Sequence, residues 1–501
     1  MTTSEVITKV TMISEVQRRK NIRKMVILLG KLQLRDRRIR DLSYTLGANL
    51  ISLISGLIIT FVIPKMLSIE EYAYFRVFTF YLGYVGVFHF GFNDGIYINY
   101  GKYDYDTLPR EKFRTYFKFL TIFQSIVAIV VFIVGAALTK DNTRILIYLF
   151  LSINIILVNL IGYFEFISQF VRRFAVYSFN LVLSKILYIV GVIGFIFINN
   201  NSGMYFMMLQ TIVNLIILYI YIRKYKGIVH GKSYSIKELK DDIKHNISLG
   251  LFIMLGNFVT IIIIGIDRIF IDKFFSVQDF AMYSFAVSLL SMFYLILNAI
   301  TTVVYPYLTR SEGKDKAKVY EIMKTTIFVL VGFCLSGYFI FDIIVRSYIP
   351  QYSEALKITA IIFPTILLSG EINIVTQNFY KTLKLQKEYT RNNVVAVAIS
   401  LVTIIIAFLM FKTTTSIAMS SLISFYLWGI YGDRYFAKVI GINTKKHHIG
   451  EFLTISLFLY LTFRVKWYIG FILYIILFSI IVAILFGKNI KEIKNVILRR
   501  S

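Results

Sequence analysis

Apolar residues come in long unbroken runs along this chain, separated by short polar connections, and fourteen such runs can be drawn. Six come first, at 43–64, 73–100, 115–139, 144–165, 177–198 and 204–222. Six follow at 247–271, 281–306, 323–349, 356–380, 392–411 and 416–437, and a final pair covers 451–463 and 467–486. About 20 apolar residues in a helix match the ~30 Å hydrocarbon layer of a bilayer. Helices satisfy their own backbone polar groups there, which open strands cannot do. The pattern predicts an all-α polytopic membrane protein of about 14 transmembrane helices. The thirteenth run is short and needs an earlier start to cross.

Composition agrees: 57% of the 501 residues are hydrophobic and only 17% are charged, against roughly 25% in soluble proteins. The remaining charge is lopsided, with 55 Lys and Arg against 28 Asp and Glu. Nucleic-acid binding is the obvious reading of such a balance in a soluble protein, but here the basic groups flank apolar spans. With the N-terminus placed in the cytoplasm, 41 of the 55 fall in the tails and in loops 101–114, 166–176, 223–246, 307–324, 381–391 and 438–450. The excess of Lys and Arg in cytoplasmic loops then sets the orientation, with both termini cytoplasmic in a plasma membrane.

The expected organisation is a basic tail (1–42), a six-span N-lobe (43–222), a basic linker (223–246), a six-span C-lobe (247–437), a helix pair (438–486) and a basic tail (487–501). Residues 20–40 suit either a basic helix on the membrane face or a disordered tail. The stretch Met25–Leu29 is flanked by Arg and Lys without a small-residue cleavage pattern, so no cleavable signal peptide is expected. Cys334 is the single cysteine, so no disulfide within the chain and no Cys/His metal cluster is expected. His447 and His448 read as solvated loop residues.

The chain repeats itself. At an offset of 208, Ile63-Pro-Lys-Met-Leu-Ser-Ile-Glu-Glu-Tyr-Ala-Tyr-Phe75 faces Ile271-Asp-Lys-Phe-Phe-Ser-Val-Gln-Asp-Phe-Ala-Met-Tyr283, with four identities and mostly like-for-like exchanges elsewhere. The register runs back ungapped to Asn49 opposite Asn257. Six spans separate the copies, so both have the same orientation. The expected arrangement is two six-helix lobes about an axis along the membrane normal, as in transporters.

The segments Leu46-Gly-Ala-Asn-Leu-Ile-Ser-Leu-Ile-Ser-Gly and Val62-Ile-Pro-Lys-Met-Leu-Ser-Ile-Glu-Glu-Tyr resemble the first hairpin of bacterial polysaccharide-export flippases. Gly265-Ile-Asp-Arg-Ile-Phe-Ile-Asp-Lys-Phe-Phe-Ser-Val is the second-lobe counterpart, and His89-Phe-Gly-Phe-Asn-Asp-Gly-Ile-Tyr is similar to flippase relatives from Gram-positive bacteria. The resemblance is to the oligosaccharide-flippase branch of the multidrug/oligosaccharidyl-lipid/polysaccharide (MOP) exporter superfamily and covers residues 36–486. It implies a V-shaped pair of lobes through which a lipid-linked oligosaccharide crosses by alternating access. Expected partners are that substrate, membrane lipids and other polysaccharide-assembly proteins, with no cofactor beyond a coupling Na⁺ or H⁺.

Ionisable groups at membrane depth are costly and become functional candidates. Arg76 and Lys118 lie about one turn inside their spans and can snorkel. Lys185 lies deeper, where it can meet a substrate diphosphate or pair with Glu165. Arg268 can hold a phosphate or form a gate salt bridge to the other lobe, and adjacent Asp267 points elsewhere on the helix. Asp94, Asp267, Asp342, Glu371 and Glu165 are candidates for binding a coupling ion. Glu371 follows Pro364, whose kink makes span ten a candidate moving element. Asn49, Asn257 and Asn298 can hydrogen-bond sugar hydroxyls or simply join helices.

The leading expectation is a flippase for a polyprenyl-diphosphate-linked oligosaccharide. Export of another amphiphile or a drug is a second reading. A membrane glycosyltransferase or polymerase is a third, but the longest outer connection is only about ten residues and no Walker-type loop is present. A channel would need a filter-like loop, and none is seen.

Overall fold

The computed structural model describes residues 47, 51–52, 54–199, 201–309 and 315–498. Its regular structure is all helical among those residues, and the described part of each of the fourteen apolar runs falls on a helix or a broken helix. Nine helical stretches are long and apolar enough to cross a membrane by themselves among the described residues. In chain order the first lobe comprises α1 (Ile54–Met66), α2 (Ile69–Leu82), α3 (Phe92–Asn99), α4 (Arg110–Ala137), α5 (Asn142–Phe170), α6 (Phe174–Phe197) and α7 (Gly203–Lys224).

The second lobe comprises α8 (Lys240–Phe274), α9 (Val277–Thr309), α10 (Lys316–Cys334), α11 (Gly337–Tyr348), α12 (Ala355–Ile362), α13 (Thr365–Glu371), α14 (Gln377–Thr382), α15 (Gln386–Phe411) and α16 (Thr414–Ile440). A final pair, α17 (Lys445–Arg464) and α18 (Trp467–Leu498), packs on α10, α11 and α12. The thirteenth span starts at Lys445, which answers the shortness of its apolar run.

The repeat is built in register. α2 begins at Ile69 and α9 at Val277, 208 residues on. Ser68 Oγ accepts from Glu71 N and Ser276 Oγ from Asp279 N, so both copies enter their helix through the same cap. The repeated helices then meet each other. Arg76 Nη2 donates to Ser284 O, its own counterpart 208 residues away. Phe80 packs edge-on against Phe280, counterpart of Tyr72, and Tyr72 in turn packs edge-on against Phe285 of the same helix. Contact between a residue and its own counterpart arises where a pseudo-two-fold axis passes through the crossing point.

Loops of alternate parity gather at opposite ends. At one end, which carries the basic loops, the Arg173 guanidinium lies 3.7 Å over the Tyr105 ring and Arg114 donates to the carbonyls of Gly227 and Lys232. At the far end, Tyr74 donates to Asp141 and Gly203 N to Glu71.

Three spans drawn as single apolar runs are broken, span nine only by a two-residue turn at Leu335 and Ser336 between α10 and α11. Span two leaves α2 at Gly83, makes a 3₁₀ turn over Val85–His89 and passes through left-handed Phe90 and Gly91 before α3. The freed backbone groups find partners: Gln124 donates to Phe88 O, Asn159 to Val85 O, and Gly91 N to His89 Nδ1. Irregular backbone at membrane depth survives only with such replacements. Span ten breaks at Pro364 and again at a π-helical turn over Ile372–Thr376 directly after Glu371. Span ten is also the most enclosed, wrapped by α9, α10, α16 and α17.

Candidate functional site

The seam between the lobes is closed at both ends. At the basic end α3 and α8 touch backbone to backbone: a Cβ on Gly95 would stand 1.8 Å from Asn246 O, and one on Gly250 would stand 1.9 Å from Gly91 O. Glycine is required here because any side chain would push the helices apart. Lys112 pairs with Asp242 at 2.5 Å and Asn99 donates to Asn246 at 2.9 Å beside this contact. At the far end Arg144 of α5 pairs with Asp272 of α8 at 3.0 Å, and Tyr81 donates to the same carboxylate at 2.6 Å. Gln351 reaches across to Pro64 O at 2.6 Å.

Between these closures two arginines approach from opposite lobes. Arg76 projects from α2 toward Ser284 of α9, and Arg268 of α8 lies 4.5 Å over the Phe80 ring of α2. Each has a buried Nε–H without a hydrogen-bond partner among the described residues. Asp267 adjoins Arg268 but is committed elsewhere: its Oδ1 accepts Arg268 N at 2.7 Å, and its Oδ2 accepts Tyr283 and Ser421 hydroxyls. The seam therefore presents two arginines with unused Nε–H donors, one of them beside the Asp267 carboxylate, and guanidinium donors of this kind recognise phosphate oxygens.

Among the described residues the far-end ion pair across the lobes is Arg144 with Asp272, while Arg268 crosses the seam by stacking on an aromatic ring. Arg76 is anchored to a carbonyl at the crossing, whereas Lys118 does reach outward, to Ser233. Lys185 lies on α6 and Glu165 on α5, both inside the N-lobe. Asp94 lies 3.5 Å from His89 beside the break in span two. Asp342 is held by Arg346 one turn along α11, near the far end. Asn49 lies outside the described residues, as do the side chains of Asn257 and Asn298.

Glu371 sits elsewhere, deep in the C-lobe, 3.1 Å from Lys324. Asp433, Glu451 and His448 complete that group, and none of the four partners was a functional candidate from sequence. His447 and His448 are not solvated: His447 is 3% exposed against Thr325, and His448 lies between two carboxylates. Lys324 and the histidines fall at span margins, where basic residues are expected in numbers. The readable signal was Asp433 and Glu451, acidic residues in two spans that otherwise carry few.

A family model described as polysaccharide biosynthesis protein matches residues 39–312, more than half of the chain. Similar solved structures include the lipid II flippase MurJ in an inward closed conformation, at a TM-score of 0.64 and 16% identity over 90% of this chain and 100% of that one. A multidrug resistance MATE family transporter of the MOP superfamily, in an inward-facing conformation, matches at 0.55 and 15% over 79% and 94%. A MATE protein in complex with MaL6 matches at 0.53 and 11% over 80% and 96%. No curated protein matches in sequence.

Proposed function

The chain belongs to the polysaccharide biosynthesis protein family, on the flippase branch of the MOP exporter superfamily, and from that membership we propose that it carries a polyprenyl-diphosphate-linked oligosaccharide across the plasma membrane by alternating access. The observation that carries this reading is the approach of Arg76 and Arg268 from opposite lobes with their Nε–H donors unspent. A diphosphate supplies two neighbouring anionic centres and accepts several charge-assisted hydrogen bonds. Bound between the arginines, it would tie the lobes together.

Movement then needs only that the two closures alternate. The glycine contact and the Lys112–Asp242 pair release toward the basic loops, which this reading places in the cytoplasm. The Arg144–Asp272–Tyr81 lock releases toward the opposite face. A cation gradient drives the cycle in this reading, and Glu371 is the candidate whose carboxylate is enclosed with its charge partners.

The test is reconstitution with a fluorescent polyprenyl-diphosphate oligosaccharide in liposomes. Wild-type protein is expected to flip the lipid, with Arg76→Ala and Arg268→Ala each slowing it at least about tenfold, the cost of roughly one charged hydrogen bond. Undiminished flipping by both folded variants would remove the diphosphate role. Transport of unrelated amphiphiles in place of the glycolipid would favour the broader exporter reading.

A further inference from the structure

The interior of the C-lobe holds a charge cluster that no part of the seam uses. Lys324 of α10 extends its ammonium among three carboxylates: Asp433 of α16, Glu371 of α13 at 3.1 Å, and Glu451 of α17 at 3.2 Å. All four are at most 3% exposed. Tyr320, also of α10, donates to Asp433 at 2.6 Å and meets the Thr376 hydroxyl at 3.1 Å. From α17, His448 places Nε2 3.3 Å from Asp433 and Nδ1 3.1 Å from Glu451. His447 turns away to Thr325, and α18 contributes Asn489 to Thr325 and Phe486 to the His447 ring.

With every carboxyl ionised and His448 neutral, one lysine faces three carboxylates, leaving two uncompensated negative charges away from water. That state is prohibitively costly. Two local geometries say where compensation goes. Both nitrogens of His448 face carboxylate oxygens, which only accept, and a neutral imidazole has a single N–H to offer. Glu371 has a buried Oε1 with no hydrogen-bond donor among the described residues, while its carboxyl and that of Glu451 crowd the same ammonium at 3.1 and 3.2 Å. Two carboxylates crowded on one ammonium repel; a single proton held between them removes one of the charges and lets one carboxyl donate to the other.

We infer that these residues form a proton-binding site that is neutral only when it holds two protons besides that of Lys324, one making His448 an imidazolium and one shared by Glu371 and Glu451. Uptake forms one N–H and one O–H bond and consumes nothing else. His448, with its side chain 17% exposed, is the entry point. The Lys324 ammonium lies within ion-pair distance of all three carboxylates and already supplies one of the positive charges they need. Glu371 begins the π-helical turn of span ten, and Thr376 at its other end touches Tyr320 of the same network. Loss of the protons therefore loads repulsion onto the segment whose helical ladder is already interrupted.

This rests on the transport reading only for what the protons drive; the site itself is tested without substrate. A group that holds its proton more firmly in the folded state stabilises at low pH and loses that contribution as pH rises. Thermal unfolding of the purified full chain, scanned from about pH 5 to about pH 9 around ordinary carboxyl and imidazole ranges, is expected to show a melting temperature that falls on the alkaline side. Glu371→Gln, which mimics the protonated carboxyl, is expected to match wild type at low pH and to lose about half of that fall.

An alkaline fall unchanged in Glu371→Gln would overturn the shared proton, and a wild-type melting temperature raised by NaCl but not by choline chloride would assign the site to a metal cation instead. Infrared difference spectra of wild type alone should lose a protonated-carboxyl band as pH rises; its absence overturns the inference even if the variant does not fold. In proteoliposomes an imposed pH gradient is expected to accelerate flipping at least about threefold in wild type and not in Glu371→Gln. Absence of flipping throughout, with the titration intact, would sink the transport reading and leave the proton site standing.

Discussion

Spans three, four and six of the N-lobe have their counterparts, six spans on, in spans nine, ten and twelve of the C-lobe. The N-lobe fills the space between them with tyrosine. Tyr116, Tyr163 and Tyr225 are buried there, with Tyr116 bonded to Tyr100, Tyr163 to Phe113 O, and Tyr225 to Ser168. Phe164 stacks between Tyr221 and Tyr225. The C-lobe fills the corresponding region with Lys324, Glu371 and Asp433. Neutral phenols keep their hydrogen bonds at any physiological pH, whereas the charged group is satisfied only in particular protonation states. Buried ions seldom add stability over a packed apolar core, so the asymmetry is better explained by work done in one half. The tyrosine lobe is built to stay one shape, and the charged lobe is built to respond.

The largest effect should come from removing the centre of the charged lobe. Lys324→Met leaves three buried carboxylates without their cation and is expected to cost about 3–5 kcal/mol, the range for breaking a buried ion pair from one side. Tyr225→Phe, the corresponding deletion in the N-lobe, removes one neutral hydrogen bond and should cost about 1 kcal/mol. Chemical unfolding of both variants measures the contrast. Equal costs would mean that the two interiors differ in composition but not in consequence.

A second break targets the border, leaving both interiors intact. The Gly95 Cβ position lies 1.8 Å from Asn246 O, a backbone atom that no rotamer change can move. Gly95→Val is therefore expected to disfavour the closed basic end by about 3 kcal/mol, the upper range of overpacking. Cysteine labelling at Leu251, in a Cys334→Ser background, should become faster by at least an order of magnitude. The lobes qualify as rigid units only if the alkaline melting behaviour of the C-lobe is unchanged in this variant.

Much of this was readable from sequence, for a physical reason. Lipid forces each crossing into a helix, so apolar runs mark spans directly, and the thirteenth was blurred only because His447, His448 and Glu451 begin it. The repeat was legible because both copies need the same cap, Ser68 and Ser276. Arg76, Arg268 and Glu371 stood out as charges within apolar runs. Hydropathy is blind to backbone dihedrals, however, and could not show Phe90 and Gly91 in left-handed conformation inside span two. The charged cluster was hidden differently. Its members are far apart in the chain, with Lys324 and Asp433 separated by 109 residues. Lys324 also lies at the margin of a span, where the rule that counts basic loop residues absorbs it without remark. Depth along a helix is visible in a sequence, but which face meets which neighbour is not.

A third measurement probes the edge of the charged group. Tyr320 links Asp433 to Thr376 and so connects the carboxylates to the π-helical turn. Tyr320→Phe keeps the ring that packs on Phe379 and Phe436 and removes only the hydroxyl. The lost bond is to a charged acceptor, so the expected cost is about 2 kcal/mol, larger than for the neutral-paired N-lobe hydroxyls of Tyr116, Tyr163 and Tyr225. Hydrogen exchange should rise selectively over 372–380. If exchange rises evenly across the C-lobe, Tyr320 is packing rather than a link to the turn.

The smallest effect is expected from the N-lobe counterpart of that deletion. Tyr100 and Tyr116 share one hydrogen bond of 3.0 Å between hydroxyls, and either can donate. In Tyr100→Phe the Tyr116 hydroxyl loses a partner, but it stays uncharged, and Asn246 is near enough to take part of the bond. The expected cost is about 0.5–1 kcal/mol, at the low end for a neutral pair. It should be the same at low and high pH, because nothing in the pair titrates in that range. A cost that grows with pH would show that the tyrosine interior feels the charged one across the seam through Asn246 and Asp242, and the division of labour between the lobes would then be one of degree.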